Sequence, residues 1–150
     1  MKQTFWVNAR DKPAFLVAMM RALQGDTSQI GFEGDLSGCD FSEIGKIEPF
    51  GELGKIDDGT EHVVFPLTDE TINSILKQIL PEGRVVHKIR HIQVQVGSEL
   101  QLLIGDNFDN ECISVGPMVS HELLSELKQR GVIRSVESDE SVKAKRGRRL

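Results

Sequence analysis

The chain has 150 residues, 39% hydrophobic and 27% charged, and its longest apolar stretch, Pro13–Met20, is well short of the roughly 20 residues a membrane span requires. Its formal charge of −5 hides an asymmetry: Asp26 to Glu70 holds twelve carboxylates against Lys46 and Lys55, while the last eight residues hold five basic side chains and no acid. A body this acidic argues against nucleic-acid binding through the folded domain, since gripping phosphates needs lysines and arginines gathered on one face.

Thr4–Val7 is rich in β-formers and predicts a first strand. Asp11 ahead of Pro13 suits a helix start, because proline's missing N–H costs nothing in the first turn. Phe15, Met19 and Leu23 recur at helical spacing, and Gly25 supplies a stop. Only Arg21 is charged between Pro13 and Leu23, which predicts a buried helix; a partner-binding surface at Met19 and Met20 is the alternative. Gln29–Glu33 predicts a second strand with Ile30 and Phe32 on one face. From Gly34 to Gly59, six glycines alternate with apolar islands such as Phe41, Ile44, Phe50 and Ile56, predicting loops with one or two short elements.

His62–Leu67 predicts a strand, and Thr68 the N-cap of a helix carrying Ile72, Ile75, Leu76 and Ile79 inward. Val85–Val96 alternates apolar with polar residues and leads through a hairpin to Leu100–Ile104. Pairing Val94 with Leu102 and Ile92 with Ile104 sets apolar against apolar and calls for a three-residue connection, Gly97–Glu99. A short strand at Cys112–Val115 follows. Ser120 then caps a helix through Arg130 with Leu123, Leu124 and Leu127 inward, and Val132–Val136 adds an edge strand. This order predicts a single α+β domain over residues 1–136, with a mixed or mainly antiparallel sheet and about three helices packed on it. Residues 137–150 are expected to be a flexible basic C-terminal tail.

Motifs for chemistry are thin. His87 and His91 have the spacing that chelates zinc on a helix, but on a strand their rings stand roughly 13 Å apart. Two carboxylate clusters, Glu33/Asp35 and Asp106/Asp109, would suit a small metal-dependent hydrolase if they converged. Asp106 and Asp109 also fit the ordinary use of Asp in turns. Cys39 and Cys112 lie far apart and read as reduced thiols, which with the lack of a signal-peptide pattern predicts a cytoplasmic protein. Each sits beside an acidic residue, Cys39 before Asp40 and Cys112 after Glu111, that disfavours a thiolate. There is no GxSxG elbow, GxGxxG or P-loop. No catalytic, cofactor-binding or metal site is therefore assigned, and a non-enzyme is expected.

The succession of a short strand and apolar helix, Ile30-Gly31-Phe32-Glu33-Gly34-Asp35-Leu36-Ser37, Val64-Phe65-Pro66-Leu67, the hairpin, Asp106-Asn107-Phe108 and Gly131-Val132-Ile133 resembles small bacterial immunity proteins encoded beside polymorphic or contact-dependent toxins. The resemblance spans most of residues 1–136 and leaves out the basic tail. It implies a stoichiometric inhibitor that covers the active site of a toxin domain, often a basic nuclease. It transfers no functional residue position by position. The charge pattern leads independently to a basic protein partner, met by Glu33, Asp35, Asp40, Glu43, Glu48, Glu52, Asp57 and Asp58 on an adaptable glycine-rich segment.

Overall fold

The computed structural model describes residues 4–85 and 88–138. The expectations for His87 and for the tail beyond residue 138 lie outside the described residues. Seven strands form one antiparallel sheet: β1 (Phe5–Ala9), β2 (Ser28–Gly34), β3 (Glu61–Pro66), β4 (Ile89–Val96), β5 (Glu99–Ile104), β6 (Ile113–Val115) and β7 (Ile133–Ser138), in the spatial order β3-β2-β4-β5-β6-β1-β7. Three helices, α1 (Lys12–Leu23), α2 (Ile72–Ile79) and α3 (His121–Gln129), pack on it, so the fold is α+β as the element order implies.

One apolar core joins the helices to the sheet. Alternate residues of the strands, Ile30 and Phe32, Ile92 and Val94, Leu102 and Ile104, point to the same face as Phe15, Leu16, Met19, Met20 and Leu23 of α1. Met19 and Met20 are completely buried, which removes them as a partner-binding surface. The start of α1 is fixed as its sequence suggests: the Asp11 carboxylate accepts from Ala14 N, and Pro13 occupies the first turn. Ser120 caps α3 in the same way through Leu123 N.

Several boundaries differ from the sequence expectations. The Thr68 hydroxyl does accept from Thr71 N, but it caps only a preliminary turn, and regular helix begins at Ile72 after Thr71. Strand β4 begins at Ile89 rather than Val85, Cys112 closes a short 3-10 turn before β6, and β7 runs two residues past Val136. The hairpin is the instructive case. Val94 faces Leu102 and Ile92 faces Ile104 as apolar matching demands, yet the turn has two residues, Gly97-Ser98, because Val96 already pairs with Glu99. A bulge absorbs the difference: Gln95 pairs with Leu100 while Val94 pairs with Leu102, so Gln101 is the extra residue. Gly97 takes φ +61 in the first central position, where tight hairpin turns favour glycine.

No strand or helix forms between Gly34 and Glu61, as the glycine spacing implies, but the segment is far from free. Leu36, Phe41 and Ile44 enter the helical-side core, with the Phe41 ring 4.8 Å from that of Phe65. The chain then rounds the edge of the sheet, where Ile47 N donates to Val64 O of β3. Residues 48–60 cross the opposite face as a strap, where Leu53 packs with Val64, Leu100 and Ile47 in a second, smaller apolar cluster.

Candidate functional site

The strap lies on a polar row of the sheet. On the face away from the helices, β2 and β4 set Gln29 opposite Gln95, Gly31 opposite Gln93 and Glu33 opposite His91. The strap descends β4 and bonds each in turn. Leu53 N donates to Gln95 Oε1 (2.8 Å), Gly54 N to Gln93 Oε1 (3.1 Å), and Asp57 Oδ2 meets His91 Nε2 (2.7 Å). Glu33 receives Ile56 N on Oε1 (2.7 Å) and both Asp57 N (2.7 Å) and the Thr60 hydroxyl (2.9 Å) on Oε2. At the upper end Glu52 N donates to Ser98 O, and the Glu52 carboxylate accepts from Leu100 N. Gly31 makes room for this layer, since a Cβ there would come within 3.0 Å of Leu53 Cδ2.

Glu33, expected on the partner-facing surface, is therefore an internal clamp only 2% exposed. Its side chain points inward because the strap covers the face on which it stands. Asp57 is half-buried and also engaged, with Arg90 Nε 3.3 Å from the same Oδ2 that meets His91. The other six stay exposed: Asp35, Asp40, Glu43, Glu48, Glu52 and Asp58. Asp35 bonds Ser37 and pairs with Lys88 at 3.4 Å, and Asp40 bonds Ser42 N. On the strap Glu48, Glu52 and Asp58 alternate along the chain with two apolar side chains facing solvent, Phe50 at 50% and Ile56 at 48% exposure. The expected adaptable surface is instead a fastened one.

The carboxylate clusters separate. Among the described residues, one group of three metal-ligating side chains has its ligand atoms within 4.8 Å of one another: Glu33, Asp57 and His91. Neither Asp35, Asp106 nor Asp109 belongs to it. Both Glu33 oxygens and Asp57 Oδ2 already accept from strap and sheet donors, and Arg90 Nε lies 3.3 Å from that Asp57 oxygen. Asp109 bonds Glu111 N in its own turn. Asp106 opens a run of left-handed residues, Asp106, Asn107 and Phe108, that turns the Phe108 ring into the core against Phe15. These contacts fasten a loop, and among the described residues Asp35, Asp106 and Asp109 join no group of three ligating side chains that close together.

Titration follows from these contacts. Burial pushes the Glu33 carboxyl up, but hydrogen bonds from Ile56 N, Asp57 N and Thr60, aided by His91, outweigh it and hold it below its ordinary 4.5. The hydrogen bond from His91, helped by Arg90, lowers Asp57 as well. Burial lowers His62, against the pull of Glu33. Cys39 is raised, chiefly by burial and then by Asp35 and Glu61 rather than by adjacent Asp40. For Glu33 and Asp57 the unfolded chain takes up protons at a higher pH than the folded one. Their stabilisation is thus complete above the ordinary carboxylate range and drains away as pH falls through the lower folded values. The protection factors of the Ile56 and Asp57 amides, taken against the intrinsic exchange rate at each pH, are expected to fall below about pH 4.5 before the helical-side core loses protection. Simultaneous loss of both would show that the strap has no acid-sensitive attachment of its own.

Sequence reasoning missed the polar row. Gln93 and Gln95 alternate with Ile92, Val94 and Val96 and look solvent-facing, yet both are buried. A signal was present: the outward positions carry glutamines, a glycine and histidines, where a bare face favours lysine and glutamate. Comparison of the chain with protein families, curated proteins and solved structures finds no match. Among the described residues no helix is long and apolar enough to cross a membrane.

Proposed function

We propose that the protein is a non-enzymatic binding module whose acidic strap docks a basic protein partner. The observation that carries this reading is exposed Phe50 and Ile56 interspersed along the strap with exposed Glu48, Glu52 and Asp58, on a loop held by buried side chains. An aromatic anchor within a charged rim is the composition of an interface, and a loop fixed beforehand loses little freedom on binding. Complementary charge would steer a basic cleft to it and set its register. A nuclease-like toxin domain has such a cleft, so the reading extends to an immunity-type inhibitor acting one to one.

The test uses the protein as bait in its own host, comparing wild type with Phe50→Ala and with the triple reversal Glu43→Lys, Glu48→Lys, Asp58→Lys. All four positions are exposed, and none is among the strap's fastening bonds. A basic protein held at low salt and released at high salt is expected on wild type only. Its affinity should fall roughly tenfold or more with Phe50→Ala. If the partner is a toxin, its activity should end at one equivalent. Retention of the same partner by the triple reversal would refute the electrostatic docking.

A further inference from the structure

Helix α1 is apolar on its outer side as well as its inner one. Phe15, Leu16, Met19 and Met20 fill the core, yet Ala14, Val17 and Ala18 on the far side are partly exposed, and Arg21 is the first polar residue to join them. A surface helix ordinarily turns polar and charged residues to water. These side chains instead floor a cleft of about 460 Å³, walled by Leu80 at the end of α2 and Leu127 of α3. Ala14 and Ala18 lie one turn apart on the same line of the helix, and their small size gives the cleft its depth. Arg21 and Arg130 also line it, and no acid does, in a chain of net charge −5. Arg130 closes α3 beside Val132, whose carbonyl accepts from Arg10 N and Asp11 N at the start of α1. Arg21 stands toward the other end, roughly 10 Å along the helix from Ala14. Arg130 Nη1 lies 3.8 Å from Glu126 in a loose, exposed pair, whereas Arg21 makes no ion pair among the described residues.

Size and charge together choose the occupant. The cleft falls within the range of small-molecule sites, about 300–1,000 Å³. A protein partner would need apolar surface continuing beyond it, since stable interfaces bury about 1,200 Å² or more. The exposed large hydrophobics among the described residues, Phe50, Ile56 and Met118, all lie outside its lining. An apolar floor with a cation at its edge and no carboxylate suits a ligand that is apolar along its length and negative at one end. We propose that this cleft binds a medium-chain carboxylate, its head paired with Arg21 and its chain lying over Ala18 and Ala14 toward Leu80 and Leu127. The planar guanidinium fork matches a carboxylate in two hydrogen bonds. The site is independent of the acidic strap, which lies on the other face of the sheet, so neither reading depends on the other.

Octanoate titrated into the isotope-labelled full chain, followed by amide NMR shifts, tests the assignment. The signals of Ala14, Val17, Ala18 and Leu127 should move together and saturate at low-millimolar concentration, as expected of so small a ligand. Affinity should fall about three- to tenfold in Arg21→Gln, and by a similar factor on wild type when octan-1-ol replaces octanoate. Ala18→Leu keeps a good helix former but fills the cleft, and should abolish the saturable shifts while the rest of the spectrum stays that of the folded chain. No common saturation at the four amides overturns the site, as does undiminished binding to folded Ala18→Leu. Equal affinity for octan-1-ol, or for Arg21→Gln, overturns the anion. Shifts at these amides that grow with protein concentration alone assign the cleft to a second copy of the chain and overturn the proposal as well.

Discussion

Glu33→Ala is expected to lower stability by about 3 kcal/mol, because three donors would lose a charged acceptor inside the protein. For a chain of this size that is a fall of roughly 10 °C in Tm. The loss should be local in character. Ile56, Asp57 and Thr60 all bond this carboxylate, so the lower strap should lose exchange protection while Phe15 and Met19 stay packed. Glu33→Gln keeps one acceptor oxygen in place and should cost about half as much. A melt unchanged by Glu33→Ala would show that Gln93, Gln95 and the small apolar cluster around Leu53 hold the strap unaided.

Gly34→Ala is expected to be the more damaging change, at about 4 kcal/mol, combining backbone strain with overpacking. Gly34 closes β2 at φ +147, in a region that L side chains rarely adopt. Any Cβ would fall on the Lys88 carbonyl oxygen and within 2.8 Å of Arg90 N, both backbone atoms that cannot swing aside. The site is an irregularity in the β2–β4 pairing, where Glu33 faces His91 but Gly34 faces Ile89. Separating the strands there would also shift Arg90 and His91, the two groups that hold Asp57. Chemical denaturation should therefore show a reduced midpoint, with further loss of strap protection beyond the global effect. A wild-type midpoint for Gly34→Ala would mean the close approach at Lys88 is not a constraint.

The two faces of the sheet differ in how far the sequence made them legible. The helical side could be read because its signals are periodic and local: Phe15, Met19 and Leu23 on α1, Ile72, Ile75 and Ile79 on α2, Ser120 ahead of α3. Apolar matching even gave the correct partners of Ile92 and Val94. The turn length was missed because Gln101 is a bulge, and an extra residue in one strand leaves no trace in alternation. The other face was illegible for a different reason. Glu33 reads as an exposed acid unless one knows that residues 52–60 return over it, and such a return is set by tertiary hydrogen bonds rather than by any local period. The carboxylates at 43, 48, 52 and 58 were read as exposed from charge alone, while the exposure of Phe50 was not foreseen.

The position of β1 has a consequence for how the protein is made. Its two neighbours in the sheet are β6 and β7, both from the far end of the chain. A ribosome adding about 5–20 residues per second takes roughly 6–26 s to travel from Ala9 to Ser138. Until Ile113–Val115 has been made Phe5–Ala9 has no sheet neighbour to pair with, and α1 has only part of the sheet on which to lie. Strands β2 to β5 can form their ladder during synthesis, but the sheet cannot be completed until the final strand has emerged. The first of these strands to be made gains its second neighbour last.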